Sequence, residues 1–306
     1  MAVTKKHTWL AIGLLGTLIA APNGTVIKYA IGSTDPYFFN ALRFALIAAI
    51  TTPFIFTGYK RITKKNFRLA LFGGLYMAAA VVSYVWAIKL SAASYVSIIT
   101  LLSPLIFIFY SSKMAGERIS RRGLAGITLA ALGAMVIIVL PVAVRDSGSF
   151  TFYPMATLFA LINTVTFPLT IIYFRKANEE GLTMNSVLSL SSWVVTLVNL
   201  GAFLIFLPPV GNIDGSAIFG TIYSGVLVGL VARAISVEVY EHIGSVISSA
   251  LSYLETFIAI LLPLFVLHEH LSPEVVLGGI LILAGVYVAQ HHRQIHPKHR
   301  HLLRVT

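Results

Sequence analysis

The sequence predicts an all-α membrane protein, ten transmembrane helices built as two inverted five-helix repeats. Three observations predict it. Of the 306 residues, 57% are hydrophobic and only 11% charged, with a mean hydropathy of +0.87, whereas a soluble domain carries about 25% charged residues. The polar residues punctuate ten apolar runs, each close to the ~20 residues that a helix needs to cross a bilayer. The later part of the chain also repeats the earlier part at an offset of 152 residues.

The runs are 8–31, 36–56, 67–90, 92–112, 123–144, 152–174, 183–207, 216–239, 244–267 and 273–290. In the first, Lys5 and Lys6 ahead of an apolar stretch also describe a secretory signal. That stretch outlasts the apolar core of about 7–15 residues in a cleavable signal, and Ile19 stands where a small residue is wanted, so an uncleaved first span is expected. The connections between the runs are mostly too short to fold separately, so no soluble domain is expected on either side. The expected domains are therefore a first repeat, 8–144, a second, 152–290, and a basic His-rich tail, 291–306.

The formal net charge of +11 invites a nucleic-acid reading. The basic residues instead lie between apolar runs, which is how topology signals are distributed. Seventeen of the 22 Lys and Arg fall in the termini and alternate connections that share one side, among them Lys60, Arg61, Lys64, Lys65, Arg68, Arg175 and Lys176. Cytoplasmic loops collect such residues, so both termini are expected in the cytoplasm of a multi-pass cell (inner) membrane protein. With zero Cys, disulfides, thiolate metal sites and Cys nucleophiles are excluded.

At the 152-residue offset Glu117 falls on Glu269, Ser120 on Ser272, Gly126 on Gly278, Leu129 on Leu281, Gly133 on Gly285 and Val136 on Val288. Six identities in twenty exceed the roughly two that apolar composition gives. Five spans per half is an odd number, so the halves enter the membrane from opposite sides, as in many secondary transporters.

The strings SAASYVSIITLLSPLIFIFYSSKMAGERISRRGLAGITLAALGAMVII and GSVISSALSYLETFIAILLPLFVLHEHLSPEVVLGGILILAGVYV resemble the two EamA domains of the drug/metabolite transporter superfamily. Their common pattern is a small-residue helix, a Pro or Glu-Pro midway, a Glu at its end and then a glycine-spaced helix. The resemblance covers nearly the whole chain, including NALRF around Arg43. It implies a ten-helix carrier of small metabolites with a central cavity framed by the first, third, fourth, sixth, eighth and ninth helices. Thr256 departs from the family, whose second copy often has Pro after the residue matching Glu255.

An ionisable group deep in a span costs about 2.5–3.5 kcal/mol on insertion scales and calls for a reason. Glu255 lies near the middle of the ninth run, on a face with Ser248, Ser252 and Ala259. Either it binds a substrate amine or a proton, or it is a packing carboxylate hydrogen-bonded to a neighbouring helix. Arg233 is its natural counter-charge, although Glu238 could hold Arg233 instead. Arg43 and Lys28 are near enough to the outer surface to snorkel, and are read as structural. Asn23 with Pro22, and Asn163 with Pro168, sit in the opening helices of the two halves, where matched interruptions point to a transport site or to ordinary kinks. Tyr76, Ser83, Thr100, Tyr223 and Tyr253 complete the candidate cavity lining.

No GxxxxGK[ST], HExxH or GxSxG motif occurs, so ATP hydrolysis and an intramembrane enzyme are not expected. The His268, Glu269 and His270 cluster and the histidines of the tail could bind a metal, but a helix-end role for Glu269 and a solvated basic tail beside anionic lipid are the readings adopted. The expected partners are a small-molecule substrate and membrane lipids, with no cofactor and no nucleic acid, in a monomer or homodimer. The competing expectation is a non-transporting polytopic membrane sensor or assembly scaffold with a solid centre.

Overall fold

Hydrocarbon offers no hydrogen-bond partner, so a chain that crosses it must satisfy its backbone internally. The protein does this with helices. The computed structural model describes residues 2–58, 61–115, 121–143, 153–211 and 213–291; for 2–6, 57–58, 111–115, 141–143, 241, 243–247, 249 and 290–291 it describes the backbone alone. The elements are α1 (Ala2–Ala20), α2 (Asn23–Ala30), α3 (Pro36–Gly58), α4 (Lys64–Leu90), α5 (Ala93–Thr100), α6 (Ser103–Ala115), α7 (Arg121–Ala143), α8 (Pro154–Glu179), α9 (Met184–Phe206), α10 (Gly215–Ile222), a π-helical stretch Tyr223–Ala232, α11 (Arg233–Val266) and α12 (Pro273–His291). Among the described residues there is no strand, only an isolated bridge between Thr34 and Gly211.

Eight helical segments, from His7–Ala30 to Gly215–Tyr240, are long and apolar enough to cross a membrane. Ala250–Val266 and Pro273–Ala289 are apolar but shorter. The ten expected runs thus correspond to eight spans of full length and two shorter apolar helices. The tail beyond His291, Arg145 and Glu117 lie outside the described residues.

Two spans are broken. Pro22 has no N–H to continue α1, and α2 restarts from it with Val26 N–H donating to the Pro22 carbonyl. Pro104 stands at the second position of α6, just past the break that separates α5 from α6. Pro168 behaves differently, because α8 continues through it. The matched interruption expected of Pro22 and Pro168 is therefore absent; neighbouring helices hold α8 closely enough to carry it past the proline.

The chain packs as two units, residues 1–100 with 153–271, and residues 101–152 with 272–306. Each unit draws helices from both sequence repeats. In the larger, α3 and α9 run antiparallel: Phe38 meets Phe203, Trp193 Nε1–H donates to Thr52, and Ser186 Oγ–H donates to the Phe54 carbonyl. In the smaller, α7 and α12 are antiparallel too. A Cβ on Gly126 would lie 2.5 Å from the Gly285 carbonyl oxygen, and one on Gly133 equally close to that of Gly278. These two contacts are copies of one another at the 152-residue offset. Antiparallel pairing of equivalent helices through equivalent residues is the geometry an inverted repeat requires.

The sequence expects a gap between the eighth and ninth runs, whereas α11 is helical from end to end. It is nevertheless not straight. Gly16, Gly13 and Trp9 of α1 meet Ile235, Val239 and His242 in turn, so α1 and the first arm of α11 are antiparallel. Gly13 also meets Leu251. On a straight helix residues twelve apart are separated by about 18 Å, so the backbone doubles back between the arms.

Four connections of the larger unit share one face and are tied together. Lys28 Nζ donates to the carbonyls of Ile88 (2.7 Å) and Ser91, and Lys89 Nζ to that of Ile31. Each lysine thereby caps the C-terminal carbonyls of the other's helix. The Glu269 carboxylate accepts from the N–H of Ala93 (2.7 Å) and Ser94 (3.0 Å), and from the Ser94 hydroxyl, and so caps α5. Gly211, at φ +76°, brings its backbone against Ser33 where a Cβ would collide with the Ser33 carbonyl. Asp214 caps α10 by accepting from Ser216 N–H and Ala217 N–H, both at 3.0 Å.

Gly285→Val is expected to force α7 and α12 apart and cost about 1–3 kcal/mol, as overpacking does; thermal unfolding in detergent measures it. The bonds from Ser216 and Ala217 hold the Asp214 carboxyl below the usual carboxylate range. A depressed folded value means that this contribution is complete above the ordinary carboxylate range and is lost as the pH falls through the depressed value. Asp214→Asn should flatten that part of the acid limb of a stability–pH profile.

Candidate functional site

A cleft of about 170 Å³ lies between α1 and the two arms of α11. Thr17 lines it from α1, Ser236 and Tyr240 from the first arm, and Ser248, Ser252 and Glu255 from the second. Gly13 and Gly16 allow α1 close against α11, and the polar residues occupy the space left beside that contact. Ser252 Oγ–H donates to the Ser248 carbonyl and Thr256 Oγ1–H to that of Ser252, so both hydroxyls follow their own helix. Glu255 has no hydrogen bond or ion pair to a described residue.

Beside Glu255 lies a second polar group. Tyr84 of α4 neighbours Ser97 of α5 and is within electrostatic reach of both Arg43 of α3 and Glu255. Gly24 of α2 faces it, since a Cβ there would come within 3.0 Å of the Tyr84 hydroxyl. Four helices therefore converge on one phenol. Sequence reasoning missed Tyr84 and Ser97 because neither is unusual in an apolar run; the available signal was Ser94 and Ser97, three apart, with Gly24 in the first span.

Arg43 is placed differently from expectation. It is only 6% exposed and does not snorkel to a surface. Its guanidinium lies over Phe39 (5.5 Å) and Phe44 (4.9 Å), and Gly225 of the π-helical stretch approaches its backbone. Those rings and the adjacent helix turn the side chain inward. Lys28 is likewise committed to the carbonyls of Ile88 and Ser91 rather than to bulk solvent.

Arg233 makes no ion pair with Glu255 or Glu238 among the described residues. It stands over the Phe174 ring at 5.8 Å, and Glu238 is 3.7 Å from His242. Asn163 is 8% exposed, and its Nδ2–H donates to the Ala80 carbonyl at 2.9 Å, joining α8 to α4. Tyr76 packs on Tyr173 at 5.4 Å. Ser83 is buried in α4, Thr100 Oγ1–H donates to the Ser97 carbonyl, and Tyr253 is half-buried. Tyr223 O–H donates to the Ile19 carbonyl at 2.7 Å, near the break in the first span. The amide oxygen of Asn23 is buried without a partner. Ser252 and Glu255 thus share the cleft, Thr100 adjoins Tyr84 through Ser97, and Tyr76, Asn163 and Arg233 lie along α4, α8 and the start of α11.

A polytopic helical protein with polar residues gathered between its helices is the class that fold and site define. The sequence matches the EamA-like transporter family over residues 7–139 and again over 154–289. The chain belongs to that family, and is a membrane transporter of the drug/metabolite transporter type. No curated protein matches it. Among solved structures, one described only as the crystal structure of a protein is 20% identical, with a TM-score of 0.59 over 93% of this chain and 97% of its own. That likeness concerns the fold.

Glu269→Gln is expected to cost about 0.5–2 kcal/mol by weakening the cap on α5. Hydrogen exchange should show earlier opening at Ala93 and Ser94, with protection elsewhere unchanged.

Proposed function

We propose that this protein is a secondary carrier that exports or exchanges a small organic solute by alternating access, with Glu255 and Ser252 in the translocation path. The observation that carries this reading is the polar cleft at Glu255, set against an opposite face where Lys28, Lys89 and Glu269 tie the helix ends together. A carrier needs a polar site reachable from one side while the other is closed. The cleft includes Ser236 and Tyr240, towards the end at which α1 begins, whereas the ties join the far ends of α2 and α4 and the start of α5.

Arg61, Lys64, Lys65, Arg68, Arg175 and Lys176 belong to the face at which α1 begins, a distribution that supports cytoplasmic termini in a cell membrane. In that orientation the cleft opens inward, as an exporter awaiting cargo would have it. Release then requires the lysine and Glu269 caps to part, and these are short polar contacts that water can replace at the surface.

Counterflow of a radiolabelled metabolite panel in proteoliposomes tests the reading. Wild type is expected to exchange at least one solute, and Glu255→Gln to slow that exchange tenfold or more and to change its pH dependence. Unchanged rate and pH profile would remove Glu255 from the mechanism, and a complete lack of exchange would favour the scaffold reading. Because the chain has no Cys, single cysteines report access directly: Ser252→Cys should react with a hydrophilic maleimide, and Asn163→Cys should stay protected.

A further inference from the structure

The buried guanidinium of Arg43 has no hydrogen-bond acceptor among the described residues, and its Nε is enclosed without a partner. It is not alone. One turn earlier on the same side of α3, Asn40 is fully buried with both amide atoms unpartnered. Ser224, next in chain to the Gly225 that abuts the Arg43 backbone, is 5% exposed with its hydroxyl unpartnered. Three side chains more than nine-tenths buried, on two elements that pack together where Gly225 meets Arg43, thus leave polar atoms unmatched among the described residues.

Their chemistry has one sense. A guanidinium, a carboxamide and a hydroxyl together offer a fork of N–H donors with further N–H and O–H donors, and the only fixed acceptor among them is the Asn40 amide oxygen. No carboxylate pairs with Arg43 among the described residues, and the Phe39 and Phe44 rings that flank it supply no lone-pair acceptor. A charge buried with its donors unmatched is strongly disfavoured, and an oxyanion presented to it supplies the acceptors in the bidentate geometry a guanidinium prefers. The π-helical turn beside it fits the same role, since such turns occur at functional sites, where they redirect side chains.

We propose that Arg43, with Asn40 and Ser224, is an oxyanion-binding subsite for the anionic group of the cargo. The proposal deepens the carrier reading and rests on it for the word cargo, but the binding it describes does not require transport. Tyr84 is within electrostatic reach of both Arg43 and Glu255. The cargo's anionic end is received at α3, and the remainder extends towards the Glu255 cleft.

Thermal unfolding of the purified full-length protein, with acetate, inorganic phosphate, acetamide or ethylamine as probe, tests this. At least one of the two anions is expected to raise the melting temperature of wild type in a saturable way, the preferred one telling carboxylate from phosphate, and acetamide is expected to leave it unchanged. Arg43→Gln should raise the apparent Kd of that anion tenfold or more, and Asn40→Ala or Ser224→Ala about threefold. Arg43→Lys, which keeps the charge but loses the fork, should fall between, and serves if the glutamine variant does not fold. Equal anion stabilisation in wild type and all variants, or none by either anion in wild type, would overturn the subsite. An anion effect that persists in wild type without any counterflow would instead count against the carrier reading alone.

Discussion

A backbone carbonyl set loose inside hydrocarbon has no water to bond, and the architecture of this protein follows from how such groups are rescued. Where Pro22 breaks the first span, the Tyr223 hydroxyl donates to the Ile19 carbonyl. At the ends of α2 and α4 the rescuers are Lys28 and Lys89, and at the start of α5 the carboxylate of Glu269 takes the amides. Each rescue comes from a distant part of the chain, so local repair of the backbone and long-range tertiary structure are the same bonds.

Much of this fold is legible in the sequence because hydrophobic length and glycine spacing are strong signals in a membrane. The glycines at 126, 133, 278 and 285, noted as a repeat, are the contacts of α7 with α12. Run lengths locate the helices to within a few residues. What periodicity misses is three-dimensional. It expects a gap after Val239, whereas the helix continues past that point and the chain reverses beyond it, which only the contacts of α1 with both arms reveal. It equates Pro168 with Pro22, although the packing of α8 on α4 carries one helix through its proline and not the other.

The site is less legible than the fold. Glu255 stands out as a charge in an apolar run, and Ser252 follows from helical spacing. Tyr84 and Ser97 carry no such mark; they become a site only because α4 and α5 bring them to Gly24 and Arg43. Arg43 was visible but assigned to the surface, since distance along the helix axis says nothing of which neighbours surround it. Asn163, the most conspicuous polar residue of the sixth run, is used to join α8 to α4.

The position of Gly13 has a mechanical corollary. Val239 on one arm of α11 and Leu251 on the other both close on the space where its Cβ would stand, so one bare spot on α1 seats the two arms together. A side chain at that spot would push on both arms at once. The absence of a side chain at position 13 is what lets both arms lie against the same rod.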